Sequence, residues 1–141
     1  MKDKKQEIFA VTERKFEYKG RECIVVFTRL GFRNGYVSVK KRIDCNKLNY
    51  IDVHGGLTCC DKIYDYYGPT REYYVGFNCD HRWGDRGCDG TDMNQAVAYG
   101  LETIDNKDKW LNFDGPVRTV EYVSEECKKV VDQLEGNKYG I

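Results

Sequence analysis

Both histidines of this chain sit where an extended run gives way to glycines and carboxylates, in Asp52-Val53-His54-Gly55-Gly56-Leu57-Thr58 and in Gly76-Phe77-Asn78-Cys79-Asp80-His81-Arg82-Trp83-Gly84-Asp85. Imidazole changes charge near neutral pH without help, and glycine lets a ligand approach the main chain closely. The two segments therefore define the candidate site. His54 with Gly55 and Gly56 can present an imidazole and consecutive backbone amides to a phosphate or carboxylate. The competing reading is purely geometric: a turn or bulge in which the histidine ties down a loop. Around the second histidine, Asn78, Asp80, Arg82, Trp83 and Asp85 add hydrogen-bonding groups, a cation and a stacking face. With Thr58 they complete the expected ligand-binding set. Were the site catalytic, His54 and His81 would act as general base and acid on a phosphodiester, with Asp85 orienting an imidazole.

Other chemistries are weaker. Cys79, His81 and Cys88, with His54, Cys59 or Cys60 as a fourth group, have zinc-ligand types, but their spacing matches no short zinc knuckle. Asp80, Asp85, Asp89 and Asp92 lack the full calcium-loop spacing and its closing glutamate, so they read as solvated turn aspartates. No metal and no cofactor is expected. There is no nucleophile elbow, phosphate loop or metal-hydrolase signature, which puts binding ahead of turnover. Eleven tyrosines support binding: Tyr64, Tyr66, Tyr67, Tyr73 and Tyr74 crowd with Trp83 between the histidine motifs, and Arg71, Arg82 and Arg86 can pair with phosphates. The same residue types dominate protein interfaces, and half of the tyrosines would face the core as ordinary strand residues.

These residues need a scaffold. Phe16 to Cys23 reads as strand, Lys-Gly turn and strand, continued by Ile24-Val25-Val26-Phe27. Asn34-Gly35 marks a turn before the alternating Tyr36-Val37-Ser38-Val39. A polar connection with a short helical turn spans 44–50, and Ile51 to Thr58 resumes strand character. Gly68-Pro69 marks another turn, and Glu72 to Phe77 is a strong strand leading to His81. Thr91 or Asp92 caps a short helix, and Val120, Val123, Cys127, Val130, Val131 and Leu134 form one apolar stripe of a final helix stopped by Gly136. Lys128 and Lys129 fall on its solvated side. The expected fold is α+β: an antiparallel sheet of about five strands with a C-terminal amphipathic helix on one face.

Composition narrows the class further. The 141 residues suit one domain over 1–141, with residues 1–12 as a candidate flexible arm. Acidic and basic residues balance at 23 each, so no global field draws the protein to nucleic acid or an anionic membrane. No apolar run approaches a bilayer span, and the charged start leads into no signal-peptide core. Seven cysteines without a CxxC pair fit reduced thiols in a cytoplasm, with Cys79 and Cys127 as small core hydrophobes.

With these segments in view, the chain resembles a group of small proteins of uncharacterised biochemistry encoded by bacteriophages and prophages. That group pairs a His-Gly-Gly-Leu-Thr segment with Gly-Phe-Asp-Cys-Ala-His-Ala-Gly-Asp and ends in a helix like Glu-Tyr-Val-x-x-Glu-Cys. The resemblant stretches are Val53 to Thr58, Tyr74 to Asp85 and Glu121 to Leu134, with Gly35 to Val39 similar to the group's Gly-Tyr-Val-Ala-Val. Asn78 replaces its Asp, Asp80 its Ala, and Arg82-Trp83 inserts one extra residue between His81 and Gly84. The resemblance implies a phage counter-defence protein acting in the host bacterial cytoplasm. The expected function is to bind and sequester a small nucleotide-like immune signal. The alternatives are a protein inhibitor of a host defence enzyme, such as an anti-CRISPR acting on a CRISPR effector, and a phosphodiesterase using His54 and His81. Expected partners are thus a nucleotide-like molecule or a host protein, with no membrane, no direct DNA binding, and a homo-oligomer left open.

Overall fold

The structure is a computed structural model that describes residues 10–65, 68–81, 88–107 and 115–141. The chain begins with two long strands, β1 (Ala10–Tyr18) and β2 (Arg21–Thr28). They are joined by a turn in which Lys19 and Gly20 both adopt positive φ, 51° and 83°. Positive φ at both central residues is what a tight hairpin turn needs to match strand twist. A register shift between Thr12 and Arg14 bulges β1 at Glu13. The strand expected from Phe16 thus begins earlier, at Ala10.

The next strand, β3 (Arg33–Val39), contains Asn34-Gly35 inside it, so that pair does not form the turn. The turn lies earlier: the Gly31 amide donates to Thr28 O and Gly31 has φ 88°. Gly35 has a packing role instead. A Cβ there would fall 2.4 Å from the Phe77 ring and 2.9 Å from Cys127 Sγ. After a 3-10 turn, Cys45–Leu48, capped by Asp44, come β4 (Cys59–Asp61), the short pair β5 (Tyr64–Asp65) and β6 (Gly68–Pro69), and β7 (Tyr73–Asn78). The main sheet is antiparallel, in the order β1-β2-β3-β7-β4.

Helix α1 (Met93–Ala98) is capped by Asp92, whose side chain accepts from the Gln95 amide. A one-turn α2 (Ile104–Lys107) follows, and α3 (Val120–Leu134) is capped by Thr119. Val123, Cys127, Val130, Val131 and Leu134 turn the α3 stripe onto Cys23, Val25, Val37, Val75 and Phe77, forming the main core. Each such side chain, removed wholly from water, contributes about 1.5–3 kcal/mol before ordering costs. The expected α+β fold is thus the observed one. Ile24, Val26 and Tyr74 bury on the opposite sheet face, and the Tyr74 hydroxyl donates to Glu22. Among the described residues, no helix is long and apolar enough to cross a membrane.

Candidate functional site

Ile51 to Thr58 departs from the sequence reading. It is not strand: only β4 at Cys59–Asp61 pairs with β7, and the preceding residues run along α3. Helix side chains satisfy the backbone in place of a ladder. The Asp52 amide donates to Gln133 Oε1 at 2.7 Å, and Gln133 Nε2 donates back to Asp52 O at 2.8 Å. The His54 amide donates to Glu126 Oε1 at 2.8 Å, and Lys129 pairs with Glu126 at 2.8 Å. The apolar alternation that suggested a strand comes from Ile51 and Val53, which bury against the core while the backbone turns.

That turn closes through Gly56 N–H donating to Val53 O at 2.9 Å, with φ of 70° at Gly55 and 80° at Gly56. Only glycine adopts such angles without strain. The Gly56 amide is therefore occupied within the turn and does not extend an anion-binding nest. Gly55 is small for a second reason: a Cβ there would lie 1.9 Å from His81 Nε2. The second imidazole rests directly on the first turn.

The two histidines, 27 positions apart in sequence by their numbers, meet with ring centroids 5.7 Å apart. His54 is 1% exposed. Its Nε2 lies 2.7 Å from Asp89 Oδ2 and its Nδ1 lies 2.9 Å from the Tyr122 hydroxyl. Asp89 is 0% exposed, and its oxygens also accept from the His81 amide at 2.9 Å and Arg118 Nε at 2.9 Å. Burial alone would push the Asp89 carboxyl up. The hydrogen bonds from His54, His81 and Arg118 outweigh it and hold the group below its ordinary value. An ionised Asp89 only accepts, so Nε2 of His54 carries a proton; in the neutral ring Nδ1 then accepts from Tyr122. The Arg118 guanidinium lies 5.0 Å from the Tyr122 ring centroid.

Asp89 is the residue that the sequence reading assigned to a solvated turn. Asp85, expected beside His81, lies outside the described residues, as do Arg82, Trp83 and Arg86. The Asp89 amide donates to His81 O at 2.6 Å, so residues 81 and 89 bridge one another at the mouth of the intervening segment. On the other side the chain is held by a tight crossing, where a Cβ on Gly115 would fall 2.1 Å from Cys88 O. Arg118, Tyr122 and Glu126 were missed as site residues: the Glu-Tyr-Val-x-x-Glu-Cys pattern marks Tyr122 and Glu126 only as helix, and Arg118 in the lead-in carries no local signal.

Of the other expected residues, Asn78 ends β7 and its Oδ1 accepts from the Asp80 amide at 3.2 Å, a local turn that aims the chain toward His81. Thr58 bonds to Gly76 O through its amide and lines an open groove of about 670 Å3 with Arg42, Asp44 and Asn46. Tyr74 is core rather than a stacking surface; Tyr73 packs partly against the core, with Lys62 over its ring. Tyr66 and Tyr67 lie outside the described residues. Cys79 is buried, and its thiol is pushed far up by that burial and by Asp89, while Cys88 is exposed. No group of three His, Cys, Asp or Glu side chains among the described residues is arranged to hold a metal ion.

The chain matches no family model, no curated protein and no solved structure. The site must therefore be read from its own geometry. In the His54/His81 corner, the ring nitrogen His81 Nε2 is buried without a hydrogen-bond partner among the described residues. Such a group costs free energy unless something pairs with it.

Proposed function

We propose that this chain binds and holds a small nucleotide-like anion at the His54/His81 corner, and that it is a phage-encoded counter-defence protein which sequesters an immune signal. The observation that supports the reading is the unsatisfied His81 Nε2, set beside a network whose other polar groups are paired. A ligand oxygen or ring nitrogen at that position would supply the missing partner. Arg118 adds positive charge nearby, partly offset by Asp89. His54 contributes by fixing the corner, since both of its ring nitrogens already have protein partners.

The same fact weighs against hydrolysis by a histidine pair. General acid–base catalysis requires each imidazole to reach the substrate proton, and His54 Nε2 is committed to Asp89 inside the protein. A thermal-shift and calorimetry panel of cyclic nucleotides and ADP-ribose derivatives tests the proposal. A ligand of this class should raise the melting temperature, with the ligand recovered unchanged, and His81→Ala should remove most of the shift. A flat response across the panel sinks it, and capture of a host defence enzyme by the same protein would then favour the inhibitor reading.

A further inference from the structure

In the sequence Tyr122 belongs only to the final helix motif, yet it ends a chain of three side chains whose order matches a hydroxyl–imidazole–carboxylate relay. Asp89 is buried and anchored by donors from three directions. It holds His54 Nε2–H, and the opposite nitrogen of the same ring faces the Tyr122 hydroxyl at 2.9 Å. His54 and Asp89 are shut away from water, whereas Tyr122 is half-buried. The reactive end is therefore the phenol. In a hydroxyl–histidine–carboxylate arrangement, the carboxylate fixes the imidazole tautomer and the free nitrogen removes the hydroxyl proton as the oxygen attacks.

We propose that Tyr122 is a nucleophile, with His54 as its base and Asp89 as the residue that positions His54, and that it takes a tetrahedral electrophile of the phosphoryl class. In the step, the phenol oxygen forms a bond to phosphorus, the bond from phosphorus to the leaving group breaks, and the leaving group carries off that electron pair. The phenol proton passes to His54 Nδ1, leaving an imidazolium against the Asp89 carboxylate. No electron donor or acceptor is needed. Arg118, beside the ring at 5.0 Å, favours an anionic electrophile over a neutral acyl group. Among the described residues, the other titratable or charged groups at this corner are His81, on the segment after β7, and Glu126 with Lys129 on α3. The inference goes beyond ligand holding at His81 and stands independently of it, because a primed phenol and a ligand-binding imidazole are different atoms.

The test uses the full chain and an aryl sulfonyl fluoride, a tetrahedral electrophile that loses fluoride to a phenol, with rates for each tyrosine read by peptide mass spectrometry. Tyr50 is 53% exposed and supplies the internal reference. Tyr122 should react at least about tenfold faster than Tyr50 despite its lower exposure, a threshold set below the roughly 10²–10⁴-fold that a positioned base contributes. His54→Gln should bring the Tyr122 rate down to that of Tyr50 or below. Asp89→Asn, whose single oxygen can serve Arg118 or the His54 and His81 side but not both, should lower the Tyr122 rate while leaving that of Tyr50 unchanged. If either variant does not fold, the wild-type rates in native buffer and in urea decide instead, because the advantage of Tyr122 must vanish on unfolding. Equal or slower labelling of native Tyr122 overturns the proposal, as does undiminished labelling in a folded His54→Gln protein. Labelling is read without any nucleotide, so its failure is separate from failure of the ligand panel.

Discussion

The face of α3 packed on the sheet and the same helix's edge toward His54 are both buried, but they are held by opposite means. Toward the sheet, Val123, Cys127, Val130, Val131 and Leu134 meet Val25, Val37 and Val75, and close packing of apolar groups suffices. Toward the turn, Tyr122 and Glu126 project from the same helix into a network of His54, Asp89 and Arg118 in which each hydrogen bond depends on its neighbours. Apolar contacts lose energy gradually when one is trimmed. A buried charge network is lost as a unit when one acceptor goes, since every donor it served is left dry.

The largest expected effect follows from that contrast. Asp89→Ala strips the acceptor from His54 Nε2, the His81 amide and Arg118 Nε together, and should cost about 3–5 kcal/mol. Leu134→Ala in the apolar region removes more buried carbon and should cost about 2–5 kcal/mol through the cavity it leaves. Urea unfolding measures both. The comparison sharpens in Asp89→Ala/Tyr122→Phe, which should be less than additive, whereas Leu134→Ala combined with Tyr122→Phe should add more nearly. Additivity in both pairs would break the contrast.

Next in size is the pair of glycines in the turn. Both have positive φ, so alanine at either is strained by about 1 kcal/mol or more. At Gly56 the added Cβ meets open space, and the cost should stop there. At Gly55 it would collide with His81 Nε2, so Gly55→Ala should lose roughly a further 1–3 kcal/mol and displace the His81 ring. Equal stability loss in the two variants would mean that His81 does not rest on the turn.

The smallest expected effect is on acid stability. Because the folded Asp89 carboxyl is held below its ordinary 3.8, its stabilisation is fully present above the unfolded value and disappears as pH falls through the lower folded value. Urea midpoints measured from pH 5 downward should decline, and Asp89→Asn should flatten part of that decline. Leu134→Ala should shift the whole curve without changing its slope. An Asp89→Asn curve parallel to wild type would show that Asp89 is not depressed.

The sequence by itself determined the elements whose signals are local. The Val and Leu spacing from Val120 to Leu134 specifies α3, the run from Ile24 to Phe27 specifies a central strand, and Lys19-Gly20 specifies the hairpin, because periodicity and turn chemistry act over a few residues. It also indicated both histidine corners. Tertiary structure alone decided that Ile51 to Thr58 turns along α3, since the groups that bind its backbone, Gln133 and Glu126, lie more than seventy positions away in the numbering. It likewise selected Asp89 as the carboxylate for His54 and brought Arg118 and Tyr122 beside it. Charges and hydroxyls on a polar surface look alike in one dimension; which of them becomes a buried partner depends on the chain segments that close over it.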